Sequence, residues 1–214
     1  MRFLIFDTET SGLPSTRDEP NAFNLSNYPY IIQLSYVIYD TNSCSVIKII
    51  DNLIKLQQNV ITPESYQVHK ISYNDCLDKG VLIKDALIEF NNHYNNSDLV
   101  IGHNINFDLK MINVENIRNL LPIIDLNNTD KHYCTMMKSI NIVKIEKINR
   151  FGSKYYKYPK LIELYTFLFN ETPTGLHNAM VDLLCCLRCF CKLYYDDDLF
   201  YKNVNVFKLF QQYQ

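Results

Sequence analysis

The first thirteen residues constrain this chain more than any other stretch. Arg2-Phe-Leu-Ile-Phe is an apolar, β-favouring run that leads straight into Asp7-Thr-Glu9-Thr-Ser-Gly12-Leu13. Such a run, ended by a turn signal, reads as a buried strand. Successive strand side chains alternate between faces, so Asp7 and Glu9 project together while Thr8 points the other way. Two carboxylates at a buried strand end raise each other's pKa and are costly unless positive charge sits between them. A divalent cation is the simplest remedy, and oxygen-only ligands suit Mg²⁺ or Mn²⁺ rather than zinc. Taken alone, the pair reads more readily as a polar strand end fraying into Ser11-Gly12.

The rest of the chain alternates strand and helix signals. Residues 14–29 hold Pro14, Pro20 and Pro29 among many Asn and Ser, which marks a loop. Tyr30 to Tyr39 and Val46 to Leu56 are β-rich runs, so three consecutive strands predict an antiparallel meander. Pro63 to Val68 predicts a short helix with Thr62 as N-cap. Residues 82–94 place Leu82, Ile83, Ala86, Leu87 and Phe90 at helical spacing, and Asp98 to Ile101 reads as a further buried strand. Helices are predicted from about residue 106 and near 132–140, 160–170 and 178–195. This order of elements is an α/β layer pattern. With 214 residues, no repeat and no linker, the chain reads as a single domain. Its core spans about 1–195, with 196–214 as a C-terminal extension.

Composition narrows the functional classes. With 47% hydrophobic and 21% charged residues the chain is globular rather than disordered. No apolar run approaches the about eighteen residues that span a bilayer, and an N-terminus that opens a strand is not a signal peptide. A soluble intracellular protein, cytoplasmic or nuclear and without a membrane partner, is the expectation. Seven cysteines, four of them (Cys185, Cys186, Cys189, Cys191) on one predicted helix, fit reduced core thiols better than disulfides or a zinc cluster. A net charge of −2 advertises no polyanionic partner overall. Lys138 to Lys160, however, carries seven basic residues against one acid, with Phe151, Tyr155, Tyr156 and Tyr158 interleaved. That pattern suits single-stranded nucleic acid, with Lys154 and Lys157 as candidate contacts, and suits a solvated loop equally well.

Two further segments carry acids. Gly102-His103-Asn104-Ile-Asn106-Phe107-Asp108 puts Asp108 in the first turn of a helix that follows a strand. There the helix dipole favours it and the ligand-binding edge of an α/β sheet lies near. Gly175-Leu-His177-Asn178-Ala-Met-Val-Asp182 places a histidine five residues before an acid. The two converge only if His177 lies on the loop just before the helix.

As a set, Phe6-Asp-Thr-Glu-Thr-Ser-Gly12, Gly102-His-Asn-x-x-Phe107-Asp108 and His177-Asn-Ala-x-x-Asp182 resemble the DnaQ-like (DEDDh) 3′-to-5′ exonucleases over Phe3 to about Leu193. The resemblance implies a ribonuclease H-like three-layer α/β/α fold whose mixed five-stranded sheet begins with three antiparallel strands. It implies two Mg²⁺ or Mn²⁺ ions held by Asp7, Glu9, Asp108 and Asp182, and His177 as the general base. It further implies a nucleic-acid 3′ end, single-stranded DNA or RNA, seated at Ser11-Gly12-Leu13. There Leu13 wedges beside the terminal base, Thr10 or a backbone amide meets the 3′ hydroxyl, Phe107 stacks and Asn104 orients the second motif. The wording of the first motif favours DNA, as in proofreading or repair, over RNA 3′-end trimming or oligoribonuclease activity. A reading of another class is an inert accessory domain of a polymerase or processing complex, docked through the aromatic C-terminal tail.

Overall fold

In a computed structural model the structure describes residues 1–175 and 178–213. Its centre is β1 (Arg2–Thr10), hydrogen-bonded on one side to β2 (Ile31–Asp40) and on the other to β4 (Leu99–Gly102). β3 (Ser45–Leu53) and β5 (His132–Cys134) complete a five-stranded sheet of order β3-β2-β1-β4-β5. The first three strands are antiparallel and the β1–β4 and β4–β5 pairs parallel. This is the α/β, ribonuclease H-like mixed sheet expected.

Alternation along β1 builds the layers. Phe3 meets Phe190 of α7 (Ala179–Tyr195) edge-on at 5.3 Å, whereas Phe6 meets Phe90 of α3 (Ile83–Asn95) at 5.0 Å. Residues three apart on a strand lie on opposite faces, so α7 covers one face and α3, with α4 (Ile105–Arg118), covers the other. Phe3 through Phe6 are buried throughout, which is why β1 reads as a continuous apolar run rather than an alternating one.

Several elements differ from expectation. β1 runs on past the acids to Thr10, because β2 supplies ladder partners as far as Ile31. Helix α1 (Pro63–His69) begins as expected, Thr62 Oγ1 accepting from Ser65 N at 3.2 Å. A second helix, α2 (Tyr73–Lys79), follows. Cys76 is its one buried residue, so it shows no apolar stripe. The predicted helix at 132–140 is a three-residue strand, β5, followed by α5 (Thr135–Val143). Residues 144–160, expected as loop, contain the hairpin of β6 (Glu146–Ile148) and β7 (Lys154–Tyr156). α6 (Leu161–Phe169), α8 (Leu199–Lys202) and α9 (Val204–Tyr213) complete the described chain, and Val206 and Phe210 of α9 are buried. Cys185, Cys186, Cys189 and Cys191 are buried free thiols, as expected. Among the described residues no helix is long and apolar enough to cross a membrane.

Candidate active site

Asp7 and Glu9 share the β1 face that packs on α7. α7 runs antiparallel to β1: Phe190 sits over Phe3, so eight residues of helix (~12 Å) bring Asp182 level with a strand position four residues on (~13 Å), namely Asp7. One carboxylate oxygen each from Asp7, Glu9 and Asp182 lies within 4.8 Å of the others. Asn178 fixes the start of α7, its Oδ1 accepting from the backbone amides of Met180 and Val181 at 3.0 and 3.4 Å. His177 lies outside the described residues.

Asp108 reaches the cluster from the other layer. It is buried in the first turn of α4, and its Oδ1 accepts from Thr8 Oγ1 at 2.7 Å and Thr8 N at 3.2 Å. Thr8, pointing away from α7, thus clamps the acid that faces the opposite layer. Asn104 serves α4 through its backbone. It adopts a left-handed φ of 70°, which asparagine tolerates, and its carbonyl accepts from Phe107 N at 2.9 Å. Its own side chain makes no capping bond.

The electrostatics are those of acids crowded away from water. Burial raises Asp7 well above the ordinary carboxylate range, reinforced by Asp108, Glu9 and Asp182. Burial, with Asp182 and Asp108, pushes Glu9 up to about 8. Burial raises Asp108 to about 7 against the lowering effect of the Thr8 hydrogen bonds. The Asp7, Glu9 and Asp182 donor set is therefore all oxygen, mutually repelling and close enough to share a hard divalent cation, with Asp108 adding charge beside Asp7. The acidic cluster fits a metal ion.

Beside it lies a groove of about 490 Å³ lined by Glu9, Thr10, Gly12, Leu13 and Phe107 from the expected set, by Thr8, and by residues of α1. A bulge in the β1–β2 ladder after Glu9 releases the chain into this turn. Ser11 is pinned there: its N donates to Tyr30 O at 2.8 Å, and its own carbonyl accepts from Thr62 N at 2.8 Å. Thr10 Oγ1 donates to Gly12 O at 2.8 Å, so its hydroxyl already serves the turn. Leu13 is 82% exposed, which excludes core packing as its role. A Cβ on Gly12 would sit 3.2 Å from Thr62 Cγ2, so the turn approaches α1 closely.

The α1 contribution was not visible in the sequence. Val68, Ser65 and His69 line the groove, and His69 is buried. Its Nδ1 accepts from Ile71 N at 3.0 Å, which leaves the proton on Nε2, a buried atom on the Thr10 side of the ring. Burial lowers the pKa of His69, so it is neutral near pH 7. The only available hint was its position in the last turn of a capped helix, and that carries no chemistry. Lys154 and Lys157 are ion-paired, with Glu146 at 3.0 Å and Glu163 at 2.5 Å. A larger cavity, about 740 Å³, lies elsewhere and contains none of the clustered acids. Its buried Glu115–Arg118 pair (2.6 Å) anchors loop carbonyls of Leu25, Tyr28 and Pro29.

Comparison with known proteins bears on the fold and the family. Among curated proteins none matches the sequence. Of solved structures, exonuclease I of E. coli in complex with a dT13 oligonucleotide superposes with a TM-score of 0.63 at 16% identity, over 89% of this chain and 41% of that one. A moderately thermophilic exonuclease I from Methylocaldum szegediense gives 0.65 at 14% identity, over 95% and 43%. A zinc-bound form of the E. coli enzyme with single-stranded DNA gives 0.64 at 16%, over 94% and 42%. The chain spans less than half the length of these proteins, and at such identities they show the fold. The family model described as Exonuclease, of the RNase T type, matches residues 4–190, and the chain therefore belongs to this DnaQ-like exonuclease family.

Proposed function

We propose that this chain is a metal-dependent 3′-to-5′ exonuclease of the DEDDh type that hydrolyses single-stranded or frayed nucleic acid, DNA in preference, to nucleoside monophosphates. The observation that carries this reading is the meeting of Asp7, Glu9 and Asp182 oxygens within 4.8 Å, from two segments far apart in sequence, at the mouth of the Gly12–Leu13 groove. Asp7, Glu9, Asp108 and Asp182 would hold two Mg²⁺ or Mn²⁺ ions, which when bound lower the pKa of an attacking water and neutralise charge on the phosphate. Thr8 holds Asp108 in place through its hydroxyl and amide.

The terminal nucleotide lies in the groove, its base between Leu13 and Phe107, with His69 in the groove wall. His177 takes the proton of the water as its oxygen attacks phosphorus, and the bond to the 3′ oxygen of the preceding nucleotide breaks in line. A histidine with an ordinary pKa of about 6.5 accepts that proton at neutral pH. The preference for DNA draws support from the oligodeoxynucleotides bound by the E. coli relative. A polymerase-docking role gains no support from these comparisons.

Purified protein with Mg²⁺ or Mn²⁺ and a 5′-labelled 20-nucleotide single strand should give a ladder shortened one nucleotide at a time, and Asp182→Asn should abolish it. His177→Ala should cost ~10²–10⁴ in kcat. Matched DNA and RNA strands run side by side decide the sugar preference. An endonucleolytic pattern, or activity that survives Asp182→Asn, would refute the assignment.

A further inference from the structure

The hairpin of β6 and β7 is built rather than slack, yet both strands are exposed along their whole length. Asn149 organises its turn, the side-chain Oδ1 accepting from Phe151 N at 2.9 Å and Ser153 N at 3.0 Å, while Gly152 takes the φ of +82° that the turn requires. All six strand residues are exposed. Phe151 at the tip is 77% exposed and Ile148 67%, and Tyr155, Tyr156 and Tyr158 are exposed as well. Two-stranded hairpins are at best marginally stable alone, so solvated aromatics on one mark a surface made for a partner.

Charge identifies that partner. The hairpin's own acid, Glu146, is taken by Lys154, and Lys157 is taken by Glu163. Among the described residues Lys144, Lys147 and Arg150 form no ion pair, and Arg150 stacks over Phe151 at 4.7 Å. Unmatched cations interleaved with flat, exposed rings complement a polyanion that also offers stacking faces, which is single-stranded nucleic acid rather than an acidic protein. Cross-strand register puts Lys147 opposite Tyr155, so a cation and a ring share one face.

The stem fixes this surface beside the acidic cluster. Pro159, two residues beyond Lys157, is buried, and its carbonyl lies 3.1 Å from His103 Nε2. His103 Nδ1 lies 2.9 Å from Thr135 Oγ1. His103 sits between Gly102, the end of β4, and Asn104, which opens the helix that carries Asp108. One side chain thus ties the hairpin to the turn that positions a catalytic acid.

We propose that the β6–β7 hairpin is an arm that grips the single strand upstream of its 3′ end, with Lys147 and Arg150 on phosphates and Phe151 and Tyr155 on bases. The proposal rests on the exonuclease reading for the polarity of the strand, and binding can be measured without catalysis. The test compares wild type with Phe151→Ala/Tyr155→Ala and Lys147→Glu/Arg150→Glu variants, all at exposed positions. Fluorescence anisotropy with labelled (dT)20 in Ca²⁺ reads affinity across a salt series, with poly-glutamate as the competing anion. Hydrolysis of a 20-nucleotide strand and of a trinucleotide is followed in Mg²⁺.

The arm predicts at least a tenfold weaker Kd for (dT)20 in each variant. It predicts a salt slope smaller by about two for the charge-reversal pair, and unchanged kcat/KM on the trinucleotide. Unchanged affinity and slope, or poly-glutamate competing as well as (dT)20, overturns it. Hairpin-dependent binding without hydrolysis by the wild type leaves the arm standing and removes the exonuclease reading; hydrolysis with hairpin-independent binding does the reverse.

Discussion

Burial, Asp108, Glu9 and Asp182 all resist ionisation of the Asp7 carboxyl. Replacing it with an uncharged isostere relieves that repulsion and removes a candidate metal ligand. Asp7→Asn should therefore lower kcat more than about a hundredfold, beyond the loss typical of an outer-shell partner. In EDTA at pH 8 the same change should raise Tm by a few degrees, as ~1 kcal/mol does for a chain of this size. A Tm that falls with the substitution would mean that Asp7 is held by a structural partner instead. Of the candidate site residues, the placement of Asp7, Glu9 and the Gly12-Leu13 turn could be read because spacing on a strand is itself geometric information. The place of His69 could not, because it depends on α1 folding back over the turn at Ser11, a contact made by Thr62 N and Ser11 O. Lys154 and Lys157 stood out by composition alone, while the acids that pair with them are set by the hairpin register and by α6.

At the scale of elements, α7 carries the most. Its N-terminal turn presents Asp182, and further along Arg188, 3% exposed, binds Asp198 through both nitrogens of its fork at 2.8 and 2.7 Å. The same guanidinium donates to Tyr165 and Glu171 and stacks over Phe169 at 3.8 Å, joining α6, α7 and α8. Arg188→Leu should destabilise the fold by ~3–5 kcal/mol, since it strands a partly buried acid. Arg188→Lys should recover little of that, a point charge being unable to replace a bidentate fork. Urea unfolding of the three proteins checks both statements. Long, periodic elements such as α3 and α7 could be read from sequence, and so could the capped α1. Those set by a neighbour could not: β5 is three residues that become a strand because β4 offers hydrogen bonds, and β6 and β7 exist only through each other.

For the molecule as a whole, stability and metal binding are linked through pH. Glu9 and Asp108 have folded values of about 8 and about 7 against ordinary values of 4.5 and 3.8, and Asp7 is also raised. An acid raised on folding holds its proton more tightly in the native state. Its contribution is complete below the unfolded pKa and is lost as pH rises through the folded one. In EDTA, Tm should therefore fall between about pH 5 and pH 8. Mg²⁺ or Mn²⁺, which binds the ionised carboxylates, should restore more of it at the upper end than at the lower. Scanning calorimetry with and without metal checks this, and a metal effect independent of pH would break the link. Removing residues 203–213 should lower Tm as well, because Val206 and Phe210 leave a shared core. The amino-acid sequence by itself determined the layer order, the buried central strand and which carboxylates are candidates for a metal, because alternation, helical spacing and motif wording are local properties. Only the tertiary structure decided that Asp182 stands beside Asp7, that Thr8 holds Asp108, that α1 walls the groove and that the basic segment is a hairpin. Each of those depends on packing between segments distant in the chain, which no local pattern encodes.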